Sequence, residues 1–120
     1  MKKLVFILSM ILISACGQTP EVLMVQGGTL GSCQSKTVKE MIDGFMGSSI
    51  WESITADDGA SYVNISGDIM YAEKPVRAKI QYKLNADETF EFSALEFNDI
   101  PQNGFIAMGL LQNMCGDEGQ

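Results

Sequence analysis

Between Ser61 and Leu84 the chain alternates twice, and this alternation restricts its fold more than any other feature. In the first run Val63, Ile65, Ile69 and Tyr71 fall on one side of an extended backbone, and Tyr62, Asn64, Ser66, Asp68 and Met70 on the other. In the second, Val76, Ala78, Ile80, Tyr82 and Leu84 alternate with Arg77, Lys79, Gln81 and Lys83. A period of two marks a strand with one buried face, because successive side chains leave a pleated backbone on opposite sides. Taking Ala72-Glu73-Lys74-Pro75 as a four-residue connection pairs Tyr71 with Val76. Ile69 then meets Ala78, Gly67 meets Ile80, Ile65 meets Tyr82 and Val63 meets Leu84, with Asp68 beside Lys79 on the polar side. A slip of one residue would turn the charges into the core, so the two faces are strongly specified.

The flanking segments extend this hairpin. Asn85-Ala86-Asp87-Glu88 reads as a turn into a third strand, Thr89–Phe97, in which Phe90, Phe92 and Ala94 continue the apolar face. Leu95 and Phe97 break the parity, which predicts either a bulge or burial on both sides at that end. Upstream, Thr37-Val38-Lys39-Glu40 has capping-box spacing, and Val38, Met41, Ile42 and Phe45 follow at helical intervals until Gly47. Ser48–Ile54 fits either a short helical turn or a crossover that places Trp51 in the core, and Asp57-Asp58-Gly59 marks a turn. A closing helix is expected over about Gln102–Met114, with Phe105, Ile106, Met108, Leu110, Leu111 and Met114 as a broad apolar stripe. The expected fold class is α+β: an N-terminal helix, a three-stranded antiparallel β-meander and a C-terminal helix (α-β-β-β-α), the helices covering one sheet face.

The first residues carry an address instead of a fold. Met1-Lys2-Lys3 precedes the apolar run Leu4–Ile13, then come Ser14-Ala15 and Cys16, the layout of a secretory signal peptide. The run is shorter than the ~20 residues a membrane span needs. Ile13-Ser14-Ala15-Cys16 resembles the lipobox of bacterial lipoproteins, with Ile where Leu is commoner. The resemblance implies cleavage before Cys16 and fatty acylation there, and Gly17, in place of Asp, implies an outer-membrane, periplasm-facing location. The expected organisation is a signal peptide (1–15), a lipidated tether (16–31), an α+β periplasmic domain (32–116) and an acidic tail (117–120). Within the tether, Val22-Leu23-Met24-Val25 is either a short docking strand or a stiffer piece of linker. With Cys16 acylated, Cys33 and Cys115 remain in an oxidising compartment, where a disulfide is expected and two buried free thiols are the alternative.

Composition excludes several functions. Of eight basic residues two lie in the leader, which leaves six against fifteen acidic ones and a formal charge of −9 for the remainder. Such a surface repels phosphate backbones, so nucleic acid is not an expected partner. The absence of histidine removes Ser-His and Cys-His nucleophiles, and no phosphate-binding glycine pattern is present, so neither a cofactor nor a metal is expected. Asp57-Asp58 and Asp87-Glu88 are carboxylate pairs, but each sits in a turn, where aspartate supplies local hydrogen bonds. The one basic concentration is Arg77, Lys79 and Lys83, with Tyr62 and Met70 on the same face. It reads as cross-strand pairing with Asp68 and Glu91, or as a docking patch for an acidic partner or a glycan.

As a whole the chain is similar to small Gram-negative envelope lipoproteins, and its mature part, with Trp51 and Cys33/Cys115, resembles members without an assigned activity. Gly59-Ala60-Ser61-Tyr62 lacks the order and spacing of the Ser-Gly-x-x-Tyr type motif of periplasmic lysozyme-inhibitor lipoproteins. The expectation is a non-enzymatic binding or envelope-assembly module. An inhibitor or exclusion factor against an incoming lytic enzyme or phage is the alternative, and a carboxylate-dependent hydrolase of envelope glycans stands third.

Overall fold

The computed structural model describes residues 19–116. The expected leader, the expected acylation site at Cys16 and the expected acidic tail 117–120 therefore lie outside the described residues. Among these described residues the fold is α+β, with three helices and a five-stranded antiparallel sheet. Helices α1 (Pro20–Gly27) and α2 (Val38–Phe45) precede strands β1 (Gly47–Thr55), β2 (Ser61–Tyr71), β3 (Lys74–Leu84), β4 (Phe90–Phe97) and β5 (Ile100–Pro101), and α3 (Gly104–Cys115) closes the chain. The strands lie in sequence order across the sheet. The expected three-stranded meander is its centre, and strands are added at both edges.

The register of the central hairpin differs from expectation by two residues. Tyr71 pairs with Lys74, Ile69 with Val76, Gly67 with Ala78, Ile65 with Ile80 and Val63 with Tyr82. The cause is the turn. Ala72 and Glu73 both adopt positive φ (52° and 66°), which makes a two-residue hairpin loop whose twist matches that of the strands. Lys74 and Pro75 thereby join β3. A shift of two preserves parity, so every side chain keeps its predicted face, but Asp68 now lies opposite Arg77 instead of Lys79. Asn98 and Asp99, at φ 51° and 69°, repeat the device and fold β5 back onto β4.

The bulge predicted near the end of β4 is present: Gln81 pairs with Ala94 and Tyr82 with Phe92, which leaves Ser93 as the extra residue. It corrects the placement of Ala94, which sits opposite Gln81 on the outer face while Leu95 and Phe97 turn inward. The ambiguous Ser48–Ile54 segment is edge strand β1, with an irregularity between Gly47 and Ile50 where Ser48 takes φ 51°. Trp51 pairs with Ile65 and packs half-buried against the core.

All buried apolar sheet residues lie on one face. Val63, Ile65, Ile69, Ala78, Ile80, Tyr82, Leu95 and Phe97 share a single cluster with helix residues Val22, Val25, Val38, Met41, Ile42, Ala107, Leu110 and Met114. Gly67 belongs to this face because the Met46 side chain lies against it, in space that a Cβ would need. Pro20–Gly27, expected to run within a tether, is helical: Pro20 opens it, the Thr19 hydroxyl accepts from Val22 N at 3.2 Å, and Val22 and Val25 are fully buried.

The predicted capping box of α2 is formed. Thr37 Oγ1 accepts from Glu40 N at 3.1 Å, and Thr37 N donates to Glu40 Oε1 at 2.8 Å. Thr37→Ala removes one of these bonds and should lower stability by about 1 kcal/mol in thermal denaturation. The closing helix differs from the expected stripe, since Phe105 is 89% exposed and Met108 60%. Its buried side is Ala107, Leu110, Met114 and Cys115. The disulfide Cys33–Cys115 is present, with a Cα–Cα distance of 5.9 Å, and joins the end of α3 to the segment before α2.

Candidate outer sheet face

Strand parity that buries one face of the sheet presents the other to the surface, and all five residues expected to form a docking patch lie there. Tyr62 and Met70 come from β2, and Arg77, Lys79 and Lys83 from β3. The register orders them in cross-strand rows. Ile54, Tyr62, Lys83 and Glu91 make one row; Glu52, Asn64, Gln81 and Ala94 the next; Ile50, Ser66, Lys79 and Glu96 a third; Asp68 and Arg77 a fourth. Met70 lies beyond, opposite Pro75.

The second row is a polar seam. Asn64 is the buried polar residue of the described chain, and its Oδ1 accepts from Gln81 Nε2 at 3.1 Å. Gln81 Oε1 in turn accepts from Ser93 Oγ at 3.2 Å. This chain of bonds ties β2, β3 and β4 together on the side that none of the described helices covers.

Two of the three cations are neutralised by neighbours. Arg77 Nη1 donates to Asp68 Oδ1 at 3.0 Å, and Lys79 Nζ lies 4.0 Å from Glu96 Oε1. Lys83 lies opposite Glu91 and makes no ion pair among the described residues. The face is therefore a mixed-charge surface, and Lys83 lies opposite Tyr62 in the row that Ile54 begins. The Arg77 pair is well exposed, so screening leaves it little stabilising value. Joint replacement Arg77→Ala and Lys79→Ala should change the urea midpoint by less than about 1 kcal/mol in equivalent stability. A larger loss would make these residues structural.

A groove of about 410 Å³ opens at one end of the domain, where α1 begins and the β1–β2 and β3–β4 turns meet. Pro20, Met24, Ala60 and Leu84 line it, together with Glu21 and Glu88. Two carboxylates in one groove meet a first requirement of glycan hydrolysis, but a general acid also needs apolar burial to keep its proton. Glu21 is half-buried and Glu88 exposed.

The remaining acidic pairs behave as turn residues. Asp58 Oδ1 accepts from Ala60 N at 3.0 Å, and Asp87 Oδ1 accepts from the Thr89 hydroxyl at 2.6 Å and the Thr89 amide at 3.2 Å. The Thr89 hydroxyl, then its amide, hold the Asp87 carboxyl below the usual carboxylate range. Among the described residues no three His, Cys, Asp or Glu group to hold a metal ion, and no helix is long and apolar enough to cross a membrane.

Sequence reasoning missed two apolar members of the outer face. Ile50 (55% exposed) and Ile54 come from β1, a strand that was not expected. Their signal was present as a period of two, Ile50-x-Glu52-x-Ile54, but Ser53 and Thr55 on the inner side obscured it. A scan against protein-family models and searches of curated proteins and of solved structures return no match to this chain.

Proposed function

We infer that this chain is a non-enzymatic binding or envelope-assembly module, tethered to the outer membrane by lipid on Cys16 and facing the periplasm, whose outer sheet face takes a protein partner. One observation carries the reading: helices cover one side of the five-stranded sheet and leave the other open, with Ile50, Ile54, Tyr62 and Met70 interleaved with Lys83. Interface centres favour aromatic and Met residues among satisfied polar groups. Here the Asn64 side-chain carbonyl and both ends of the Gln81 amide are already paired at the centre. The acidic balance suits a partner with complementary basic rims.

The test is photo-crosslinking in intact cells from a reactive residue placed at Ile54, Tyr62 or Met70. The expected result is one discrete protein adduct shared by these positions and absent when the probe stands at Asp43, on the exposed side of α2. Equal adducts from Asp43, or none from the three sheet positions, would refute the outer face as the interface.

A further inference from the structure

The groove at the start of α1 has no part in that reading, yet it lies where the anchor must be. Cys16 precedes Pro20 by four residues, and four fully extended residues span at most about 14 Å. The tether cannot lengthen cheaply by unwinding α1. Thr19 caps that helix through its side chain, Thr19 O accepts from Leu23 N at 3.0 Å, and Val22 and Val25 are fully buried in the core. A group attached to Cys16 is therefore held next to the groove at high effective concentration.

The lining is suited to hydrocarbon. Pro20, Met24, Ala60 and Leu84 supply apolar contact from three different elements. Glu21 and Glu88 repel an anionic headgroup and leave an uncharged chain as the compatible guest. We propose that this groove takes one of the acyl chains carried by Cys16, so that the anchor also fixes the orientation of the domain. The proposal rests on the acylation of Cys16. It sets the β1–β2 and β3–β4 turns at the membrane side and the β2–β3 turn at the far side, because consecutive antiparallel strands place alternate turns at opposite ends.

The test uses the full-length protein made in cells fed a diazirine-bearing fatty acid, irradiated in its own membranes and mapped by mass spectrometry. An unirradiated sample first establishes whether Cys16 carries acyl chains. On acylated protein, the expected result is an intramolecular adduct on the peptides containing Met24, Ala60 or Leu84. Ala86→Trp, at an exposed turn position lining the groove, should lose that adduct while the acylated mass and the thermal midpoint stay unchanged. Acylated protein whose adducts form only with phospholipid, or only on peptides outside the groove, overturns this proposal alone. A free phospholipid chain bound in the groove also overturns it. An unacylated Cys16 overturns the anchoring reading and this proposal together.

Discussion

Replacing Cys33 and Cys115 together by alanine is expected to destabilise the domain by about 4–5 kcal/mol, the value chain entropy gives for a loop of this length. The two residues are 82 apart in sequence, so the bond closes nearly the whole described chain. Open, the unfolded chain regains that freedom and the native state gains nothing in return. Local packing gives the ends limited help, because α3 has only two turns of buried contact, Ala107, Leu110 and Met114, to hold it. Domains of this size have total stabilities of about 5–15 kcal/mol, so the loss removes more than about a quarter of the margin. Urea unfolding of the oxidised protein, the reduced protein and the double variant measures it. Reduced protein and variant should coincide, well below the oxidised form. A midpoint that hardly moves would mean that the helices hold the ends without the bond.

The second large effect concerns Tyr82, which is 1% exposed and sits edge-on to Phe90 and Phe92 with ring centroids 5.6 and 6.3 Å away. Tyr82→Ala should cost about 3–5 kcal/mol, through lost burial and the cavity left at the centre of the sheet. Tyr82→Phe is expected to be nearly neutral at pH 7, because the hydroxyl makes no hydrogen bond among the described residues. Alkali separates the two. Burial pushes the Tyr82 pKa up from its ordinary value of 10.0, so the folded state holds this proton more tightly than the unfolded chain. The stabilisation is complete below about pH 10 and falls at up to about 1.4 kcal/mol per pH unit above it. Urea midpoints of wild type and Tyr82→Phe should therefore agree at pH 7 and diverge above pH 10, wild type being the weaker. Parallel pH profiles would contradict the burial of an unionised phenol.

The central sheet was legible because its signal is redundant. Two runs of alternating residues support each other, and their faces survive even a wrong turn length. The register was not legible, since it hangs on Ala72 and Glu73 taking positive φ, and neither residue favours that conformation. Asn98-Asp99 makes the same turn with residues that do, but the strand it introduces has only two residues. Helix α1 was obscured by its shortness and by the small polar residues on either side, and its burial is a tertiary effect. In α3 apolar residues run all round the helix, so no periodicity distinguishes the buried Leu110 from the exposed Phe105. The basic residues of the candidate site were placed correctly by parity. Their neutralisation depended on register, and register decided that Arg77, not Lys79, meets Asp68.

The proposed anchoring assigns the Cys16 sulfur to lipid, while the sulfurs of Cys33 and Cys115 are bonded to each other. Intact-mass analysis of protein purified from cell envelopes without reductant tests both statements at once. It should give a chain beginning at an acylated Cys16, with no titratable thiol and with Cys33 and Cys115 in one linked peptide pair. A chain that still begins at an unmodified Met1, or one that releases two free thiols, contradicts it.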